Sequence, residues 1–398
     1  MGRGCAGRRQ TPEGRNTCSD RASSTVSATG PPNPGSGIPG PGPSGQKGTA
    51  VRALTVVPGE KDTLRCEELP DPEVSAGALS VRALALGVCG TDREIARGDY
   101  GWAPSGRRRL VIGHESLGRV ETAPDGSGFH PGDLVAGVVR RPDPEPCPAC
   151  AVGSFDMCRN GRYSERGIKE LDGYGSSLWT VEPEYAVRLD PGLRHTGVLM
   201  EPTSVVAKAW EQVERIGRRS WFGPKRALVT GAGPIGLLAA LLGVQRGLDV
   251  HVLDLATDGP KPRLVRELGA TYHTGEIAGI GEKLKPDVVI EATGVGALVF
   301  GAMAITAPYG IVCLTGVSPA GRTLDVDAGS LNREIVLEND VVVGSVNANL
   351  GHYQAAAEAL AKADRSWLAG LITRRVPVER FQEAFDAGSE DIKAVIEF

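Results

Sequence analysis

The sequence predicts an α/β protein in which a strand-rich, partly open β-barrel is followed by a doubly wound parallel sheet. Between residues 51 and 200, short segments with strand character alternate with many turns, which is typical of an all-β core. Beyond Glu201, apolar strands alternate with helical segments, and this order specifies a parallel sheet with helices on both faces. A length of 398 residues is more than one hydrophobic core usually serves, so we expect two domains.

The first 47 residues are expected to belong to neither domain. They contain a glycine- and proline-rich run at residues 30–45 and almost no apolar side chains. Such a segment buries too little apolar surface to offset the entropy that is lost on ordering. We therefore predict that residues 1–47 are disordered.

The strand-rich part is predicted to cover residues 50–205 and to be completed by residues 346–398. Its first strand alternates apolar and polar side chains and ends at a Pro-Gly turn. After Asn347, a helix and a turn lead to the terminal strand of this part. Strands are expected at residues 51–57, 79–86, 117–120, 133–139 and 393–398.

The parallel sheet is predicted to cover residues 206–345. Its strands are short apolar runs, as expected where helices cover both faces of a sheet. Strands are expected at residues 226–230, 250–253, 288–290 and 311–314, and helices at residues 202–216, 235–245 and 264–268.

The charge balance and the apolar runs argue against two classes of partner. The chain has 44 Lys and Arg residues against 48 Asp and Glu residues, and a net charge of −4 gives no support to a nucleic-acid-binding surface. Two uncharged runs, residues 227–245 and 292–321, are long enough to span a bilayer, but glycine and proline interrupt both. Buried α/β segments produce such runs, so we expect no membrane association.

A glycine-rich turn between a predicted strand and a predicted helix indicates a dinucleotide-binding Rossmann fold. The turn is Gly231-Ala-Gly233-Pro-Ile-Gly236. Gly231 would make the tight turn, Gly233 would let the backbone approach a pyrophosphate, and Gly236 would allow the helix to pack closely on the strand. Asp254, at the end of the next strand, would accept hydrogen bonds from the adenosine ribose and repel a 2′-phosphate. An incidental turn in another α/β protein is the weaker alternative.

Three polar residues form a ligand set that suits a catalytic zinc ion. Cys89 follows a predicted strand, and His114 and Glu115 lie together in a glycine-rich turn. One thiolate, one imidazole and one carboxylate leave a coordination position open for a substrate. A buried cysteine and a buried histidine with ordinary packing roles are the alternative.

These motifs, in this order, resemble the zinc-dependent medium-chain dehydrogenase/reductase family, and within it the glucose 1-dehydrogenase subgroup. The resemblance extends from about residue 51 to residue 398 and implies a GroES-like catalytic domain joined to a Rossmann domain. The family motifs are Gly87-Val-Cys89-Gly-Thr-Asp92, Gly113-His-Glu115, Pro131-Gly-Asp133 and residues 231–236, and the subgroup motifs are Arg140-Arg-Pro142, Tyr163-Ser-Glu165, Glu201-Pro202 and Ser345-Val-Asn347.

The resemblance implies an oxidoreductase that converts the C1 hydroxyl of β-D-glucose to glucono-1,5-lactone and transfers hydride to NAD(P)+. Another sugar, a polyol or a cyclitol is the alternative substrate for the same machinery. A dinucleotide-binding protein without catalytic activity is a more distant alternative. Helices and edge strands of such sheets commonly pair between subunits, so we expect a homo-oligomer, either a dimer or a tetramer. The eight cysteines suggest no disulfide framework, and at least four of them have metal-like spacing, which favours a cytoplasmic protein.

The resemblance assigns roles to residues by position. Cys89 and His114 match the first two zinc ligands, and Glu115 matches a carboxylate that binds zinc directly or through water. Glu201 matches a further acidic ligand, and Thr91 matches a hydroxyl that contacts both the substrate oxygen and the proton relay. The substrate contacts implied are Thr91, His114, Glu165, Glu201 and Asn347, and the cofactor contacts implied are Gly231, Gly233, Pro234, Ile235, Gly236, Asp254, Thr293 and Gly294.

The segment after Asp254 departs from relatives that use NADP. Such relatives often carry arginines after the second strand, whereas here Asp254 is followed by Leu-Ala-Thr. We therefore expect NAD to be preferred, while Lys261 and Arg263 leave NADP open as a cofactor.

The cysteine lobe and the start of the chain also depart from the family pattern. Cys147, Cys150 and Cys158 match the last three of four structural-zinc cysteines, but Pro144 stands at the first position. Because Asp143 and Glu145 flank this proline, a Cys₃Asp zinc site and an empty lobe both stay open. Relatives begin near position 51, so we expect residues 1–50 to be an over-extended gene start or a disordered appendage.

Overall fold

The fold is described from a computed structural model, which covers residues 50–386, 388 and 390–398. The predicted disorder of residues 1–47 lies outside these described residues. Among the described residues, no helix is both long enough and apolar enough to cross a membrane.

Short strands occupy the first part of the chain and strands alternate with helices in the second part, as the sequence predicts. The strands are β1 (Ala50–Val56), β2 (Arg65–Pro70), β3 (Leu79–Val88), β4 (Leu110–Val111), β5 (Glu115–Thr122), β6 (Leu134–Gly137), β7 (Arg140–Arg141), β8 (Ser164–Arg166), β9 (Glu170–Leu171), β10 (Leu178–Val181), β11 (Ala186–Arg188), β12 (Arg226–Thr230), β13 (Asp249–Leu253), β14 (Thr271–His273), β15 (Val288–Glu291), β16 (Ile311–Leu314), β17 (Val341–Gly344), β18 (Ile372–Pro377) and β19 (Lys393–Glu397). The helices are α1 (Gly90–Ala96), α2 (Pro148–Ala151), α3 (Met200–Gly217), α4 (Pro234–Gln245), α5 (Pro260–Glu267), α6 (Ile277–Leu284), α7 (Gly296–Met303), α8 (Ala328–Glu338), α9 (Leu350–Lys362), α10 (Arg365–Leu371) and α11 (Gln382–Phe385).

The strand-rich part is an open, GroES-like arrangement centred on β3. The main sheet has the order β11-β6-β5-β3-β19-β18, and β10 also pairs with β3. Two smaller sheets, β2-β1-β4 and β7-β8-β9, flank it, and the described strands form no closed barrel. Because β19 pairs antiparallel with β3, the C-terminal segment returns to the part of the fold that carries Cys89.

The second part is a six-stranded parallel Rossmann sheet of order β14-β13-β12-β15-β16-β17. All its strand pairs are parallel, and the order reverses between β12 and β15. Four of the five residues of β12 are buried, and the apolar helix α4 packs against it. Ligands of such sheets bind at the carboxyl ends of the strands beside this reversal, which is where the Gly231–Gly236 turn lies.

Several described elements were not expected from the sequence, among them β14, β17, β18 and α8. The strands β14 and β18 are short or carry several charged residues, so neither has the apolar run of a buried strand. The helix α8 buries none of its residues, and the neighbouring β17 is an edge strand that is only half-buried. Where one face of an element is not packed, the periodic apolar signal that predicts the element is weak.

Candidate active site

The antiparallel pairing of β3 with β5 brings the predicted zinc ligands together. Cys89 directly follows β3, His114 directly precedes β5, and Glu115 is its first residue. The register places Gly87 opposite Glu115. A Cβ atom on Gly87 would lie 2.0 Å from the Glu115 Oε2 atom, so this position requires glycine.

The ligand atoms of Cys89, His114 and Glu115 all lie within 4.8 Å of one another. The Cys89 Sγ atom is 3.1 Å from the His114 Nε2 atom. Behind the histidine, the Asp92 Oδ1 atom lies 3.4 Å from His114 Nδ1. Asp92 also accepts a hydrogen bond of 2.9 Å from the Cys89 backbone N–H, so it orients both residues.

The charges of this site fit a divalent cation. Burial raises the pKa of the Cys89 thiol, so a thiolate here needs a positive partner. Burial also raises the pKa of Glu201 to about 7; His114 opposes this increase, whereas Glu115 adds to it. Several acidic groups thus share one buried region, and a zinc ion bound to the soft thiolate and the imidazole would neutralise them.

Lys393 is a site residue that the sequence analysis missed. Its Nζ atom lies 2.6 Å from both carboxylate oxygens of Glu115, and both side chains are buried. Lys393 opens β19, which lies beside β3, and no local motif marks it. Only the strand pairing brings it to the predicted metal ligands.

Thr91 and Glu201 approach the same region from two helices. Thr91 is half-buried in the first turn of α1, two residues after Cys89. Glu201 is half-buried in the first turn of α3 and interacts electrostatically with His114, although it is not one of the three clustered ligands.

Glu165 and Asn347, which share a predicted role in sugar binding, form a second polar centre. The Glu165 Oε1 atom accepts hydrogen bonds from Arg140 at 2.9 and 3.1 Å and from Asn347 Nδ2 at 2.5 Å. Asn347 adopts a left-handed backbone conformation with φ of 63°. The Arg140 guanidinium also stacks on the Tyr163 ring, 3.7 Å from its centroid. Because this contact fixes Arg140, its hydrogen bonds to the Oε1 atom fix the Glu165 carboxylate.

A buried ion pair that the sequence analysis missed supports this centre. The Lys208 Nζ atom of α3 lies 2.7 Å from the Asp156 Oδ2 atom, and each side chain is only 2 % exposed. Asp156 accepts a hydrogen bond of 2.9 Å from Asn349, and its backbone carbonyl accepts one of 3.0 Å from Arg140. The network therefore links Arg140 to the segment that begins α9.

The Gly231–Gly236 turn has the geometry of a phosphate-binding loop. Gly231 has a φ of 91°, which favours glycine, and a Cβ atom on Gly236 would lie 1.8 Å from the Gly231 carbonyl oxygen. Apart from its neighbours in the chain, no described residue has an atom within 4 Å of a Cβ placed on Gly233, so a ligand can approach the backbone there. Pro234 and Ile235 begin α4, whose N-terminal N–H groups point towards this space.

Asp254 stands beside this turn. Its Oδ2 atom accepts a hydrogen bond of 2.7 Å from the Ala232 N–H, and its Oδ1 atom accepts one of 3.1 Å from Ala256. Burial opposes ionisation, but these N–H groups and Lys261, 3.4 Å away, lower the pKa of Asp254. The carboxylate is therefore charged and fixed at the end of β13.

Thr293 and Gly294 lie on the other side of the turn, after β15. Gly294 has a φ of 65°, and a Cβ atom placed on Gly231 would contact Thr293 at 2.8 Å. Both residues are held by Glu291, a fully buried carboxylate that accepts from the Thr293 N–H at 2.8 Å and from the Gly294 N–H at 3.1 Å. Sequence reasoning missed Glu291, although an acidic residue at the end of an apolar strand is a usable signal.

The cysteine lobe brings together three sulfur atoms. The ligand atoms of Cys147, Cys150 and Cys158 lie within 4.8 Å of one another. Asp143 is not among them, because its carboxylate accepts hydrogen bonds from Asn160 at 2.7 Å and from the Glu145 N–H at 2.9 Å. This arrangement favours the three thiols alone over a Cys₃Asp set.

Two family models together match most of the described chain. Residues 75–191 match the alcohol dehydrogenase GroES-like domain, and residues 194–398 match the glucose dehydrogenase C-terminus. The second match alone covers more than half of the chain.

Curated relatives and solved structures give the same result. The chain is 40% identical over 356 residues to a glucose 1-dehydrogenase of Methanocella arvoryzae and 42% identical over 358 residues to one of Thermoproteus tenax. Each alignment covers 87% of this chain and 99% of the relative. A solved structure of Haloferax mediterranei glucose dehydrogenase in complex with NADP, Zn and gluconolactone superposes with a TM-score of 0.80 at 34% identity, over 87% of this chain and 99% of that one.

Proposed function

Because the chain belongs to the zinc-dependent medium-chain dehydrogenase/reductase family, in its glucose dehydrogenase subgroup, we propose that it oxidises β-D-glucose at C1 to glucono-1,5-lactone. The nicotinamide cofactor NAD(P)+ accepts the hydride. The observation that carries the proposal is the cluster of Cys89, His114 and Glu115 in the same fold as the Gly231–Gly236 turn.

The metal-binding residues prepare the C1 hydroxyl for oxidation. Zinc, when bound, supplies a Lewis acid that lowers the pKa of the substrate alcohol. Cys89 and His114 supply a soft sulfur and an imidazole nitrogen to hold it, and Asp92 fixes the orientation of both. Thr91, in the same helical turn, offers a hydroxyl that can pass the C1 proton towards solvent.

Glu165 and Asn347 orient the sugar. Arg140 and Asn347 both donate to the Glu165 Oε1 atom, so the Oε2 atom keeps its lone pairs for sugar hydroxyls. Because Arg140 is buried and donates two hydrogen bonds to the Glu165 carboxylate, Glu165 can contact the pyranose from a fixed position.

We propose NAD as the preferred cofactor, with NADP also accepted. The charged Asp254 carboxylate suits two ribose hydroxyls and repels a 2′-phosphate. The Lys261 Nζ atom lies 3.4 Å from the Asp254 carboxylate, and its positive charge can offset the repulsion between Asp254 and the 2′-phosphate of NADP.

A panel of sugars and polyols tests the proposal. The purified protein is assayed with NAD+ and with NADP+ on glucose, galactose, xylose, sorbitol and myo-inositol, and its zinc content is measured in parallel. Glucose is expected to give the highest kcat/KM, with gluconolactone as the product. A higher value for a polyol or a cyclitol assigns the same machinery to that substrate, and zinc-containing protein without any turnover contradicts an enzymatic role.

We also propose a homo-oligomer that is built on the edge of the parallel sheet. Within the described chain, β17 is an edge strand, and α8 beside it buries none of its residues. Val336 and Leu337 on α8 are 64 % and 60 % exposed. An unpaired edge strand with exposed apolar neighbours is a surface that a second copy can cover. Light scattering should give a dimer or a tetramer, and Leu337→Glu should shift it towards the monomer.

A cytoplasmic location completes the proposal. The six cysteines in the described residues are free thiols, as in a reducing compartment. Fractionation of cells of the source organism with a specific antibody tests this location.

A further inference from the structure

The three-cysteine lobe differs from the closed structural zinc site of the family. Cys147 and Cys150 are buried in a hydrophobic core, while Cys158 is half-buried at the surface. Structural zinc sites are closed by four protein ligands. Here the described residues place three sulfur atoms together and no fourth ligand atom with them.

Asp143, whose side chain could replace the missing cysteine, is engaged in other hydrogen bonds. Asp143 is 1% exposed, and its Oδ2 atom accepts from Asn160 at 2.7 Å and from Arg162 at 3.3 Å. Its Oδ1 atom accepts from the Glu145 N–H at 2.9 Å. Moving this carboxylate to the sulfur atoms would break these hydrogen bonds, so Asp143 is not free to complete the site.

Backbone N–H groups contact two of the three sulfur atoms. The Cys147 Sγ atom accepts a hydrogen bond of 3.3 Å from the Arg159 N–H. The N–H groups of Ala149 and Cys150 also point to Cys147 Sγ, and that of Asp143 points to Cys150 Sγ. Backbone hydrogen bonds therefore hold two of the three sulfur atoms in fixed positions beside each other.

We propose that this lobe is an open three-thiolate site, which binds a soft, thiophilic metal ion through Cys147, Cys150 and Cys158 and leaves one coordination position to an exogenous ligand. Thiolate sulfur selects ions such as Zn2+, Cd2+ and Cu+ over hard cations. A small-molecule thiol or a water molecule fills the open position from the side of Cys158, which is the accessible edge of the cluster.

Cobalt substitution of the full-length protein tests this site separately from the catalytic metal. Co2+ bound to thiolates absorbs in the near ultraviolet in proportion to the number of sulfur ligands. The contribution of Cys89 is removed by taking the difference between the unmodified protein and Cys150→Ser. We expect the near-ultraviolet absorbance in this difference spectrum to correspond to three thiolates. The absorbance should increase by roughly a third when 2-mercaptoethanol occupies the fourth position.

Pro144→Cys is the matched variant, because Pro144 is exposed and occupies the position of the missing cysteine. It should give the four-thiolate spectrum without added thiol and should no longer respond to 2-mercaptoethanol. Cys66→Ser, which removes a half-buried thiol outside the cluster, should leave the spectrum of the unmodified protein unchanged.

Alkylation of the unmodified protein provides a second measurement if Cys150→Ser does not fold. Cd2+ should protect Cys147, Cys150 and Cys158 from iodoacetamide, as mapped by mass spectrometry, while Cys66 reacts at the same rate with and without Cd2+. The proposal is overturned by a metal-saturated spectrum that does not respond to the small thiol, by a lobe that binds neither ion, or by a stable disulfide among the three cysteines in the protein as isolated.

Discussion

The Nζ atom of Lys393 lies 2.6 Å from both carboxylate oxygens of Glu115, although 278 residues separate the two in the chain. Burial disfavours the charge of the lysine, but Glu115 outweighs this effect and raises the pKa of Lys393. The predicted metal-binding carboxylate is therefore already paired with a cation. Glu115 must share its oxygens between Lys393 and any metal ion at Cys89 and His114.

Replacing Lys393 should make the protein depend on zinc for its stability. In Lys393→Met, the buried Glu115 carboxylate loses its partner, and breaking such a pair costs about 3–5 kcal/mol. Zinc replaces part of the missing positive charge. The decrease in the free energy of unfolding should therefore be clearly smaller when zinc is present than when a chelator is present. Urea unfolding under both conditions measures the two values. Lys393→Arg keeps the charge and serves as the control, and an equal loss in both conditions would contradict the shared role of Glu115.

Cys89→Ser should abolish turnover while dinucleotide binding survives. The variant removes the soft ligand of the proposed zinc, whereas the Gly231–Gly236 turn connects β12 to α4 and does not depend on this thiol. A loss of several kcal/mol in transition-state stabilisation lowers kcat at least about a thousandfold. Zinc analysis and NADH fluorescence titration separate the two effects. An unchanged kcat would end the catalytic-zinc hypothesis, and Cys66→Ser controls for the loss of a thiol.

The fixed charge of Asp254 should set the cofactor preference. The unmodified protein should have a higher kcat/KM with NAD+ than with NADP+, and Asp254→Asn should reduce this ratio about tenfold because the amide no longer repels a 2′-phosphate. The asparagine still offers an acceptor to the Ala232 N–H, so the turn is retained. Lys261→Ala should have the opposite effect and weaken NADP+ use. A preference of the unmodified protein for NADP+ would contradict this role of Asp254.

Local patterns made much of the fold predictable from the sequence. The strand at residues 311–314 was expected where β16 lies, and the helix expected at residues 202–216 differs from α3 by two residues at its start and one at its end. Buried strands and amphipathic helices carry their own periodicity. Neither β14, with three residues, nor α8, with no buried face, has such a signal.

The candidate site was predictable only where a motif is local. Cys89, His114 and the Gly231–Gly236 turn have neighbours that mark them as candidates. Lys393 and Lys208 have none, because each acquires its role only when a distant strand or helix brings a carboxylate to it. A buried lysine looks like a surface lysine in the sequence, and only the packing distinguishes the two.

Glu165→Gln should weaken glucose binding more than it changes zinc content. The glutamine carbonyl can still accept from Arg140 and Asn347, which places its NH₂ group where the Oε2 atom lies. A donor then replaces the acceptor that faces the sugar, at a cost of about 1–3 kcal/mol. The expected result is a KM raised about 5- to 150-fold with zinc content unchanged. Equal kinetics for the two proteins would place the Glu165 carboxylate outside the sugar site.

The buried pair of Asp156 and Lys208 should give the stability a defined dependence on pH. Burial opposes the charge of the carboxylate, but Lys208 and Asn349 outweigh it and lower the pKa of Asp156 below its ordinary value of 3.8. A lowered folded-state pKa means that the pair stabilises the protein fully above about pH 5 and loses this contribution as the pH falls through the folded-state pKa.

Asp156→Asn measures this contribution, because it leaves Lys208 buried without its charged partner. At pH 7 the variant should be less stable than the unmodified protein by about 3–5 kcal/mol. As the pH falls below about 4, Asp156 becomes protonated in the unfolded chain of the unmodified protein, so the difference should shrink until the pH has passed the lowered folded-state pKa. Urea unfolding at a series of pH values gives both curves. The double variant Asp156→Asn/Lys208→Met removes both charges, so it should be more stable at pH 7 than Asp156→Asn alone. A difference between Asp156→Asn and the unmodified protein that stays constant from pH 7 to pH 3.5 would contradict an ionised buried pair.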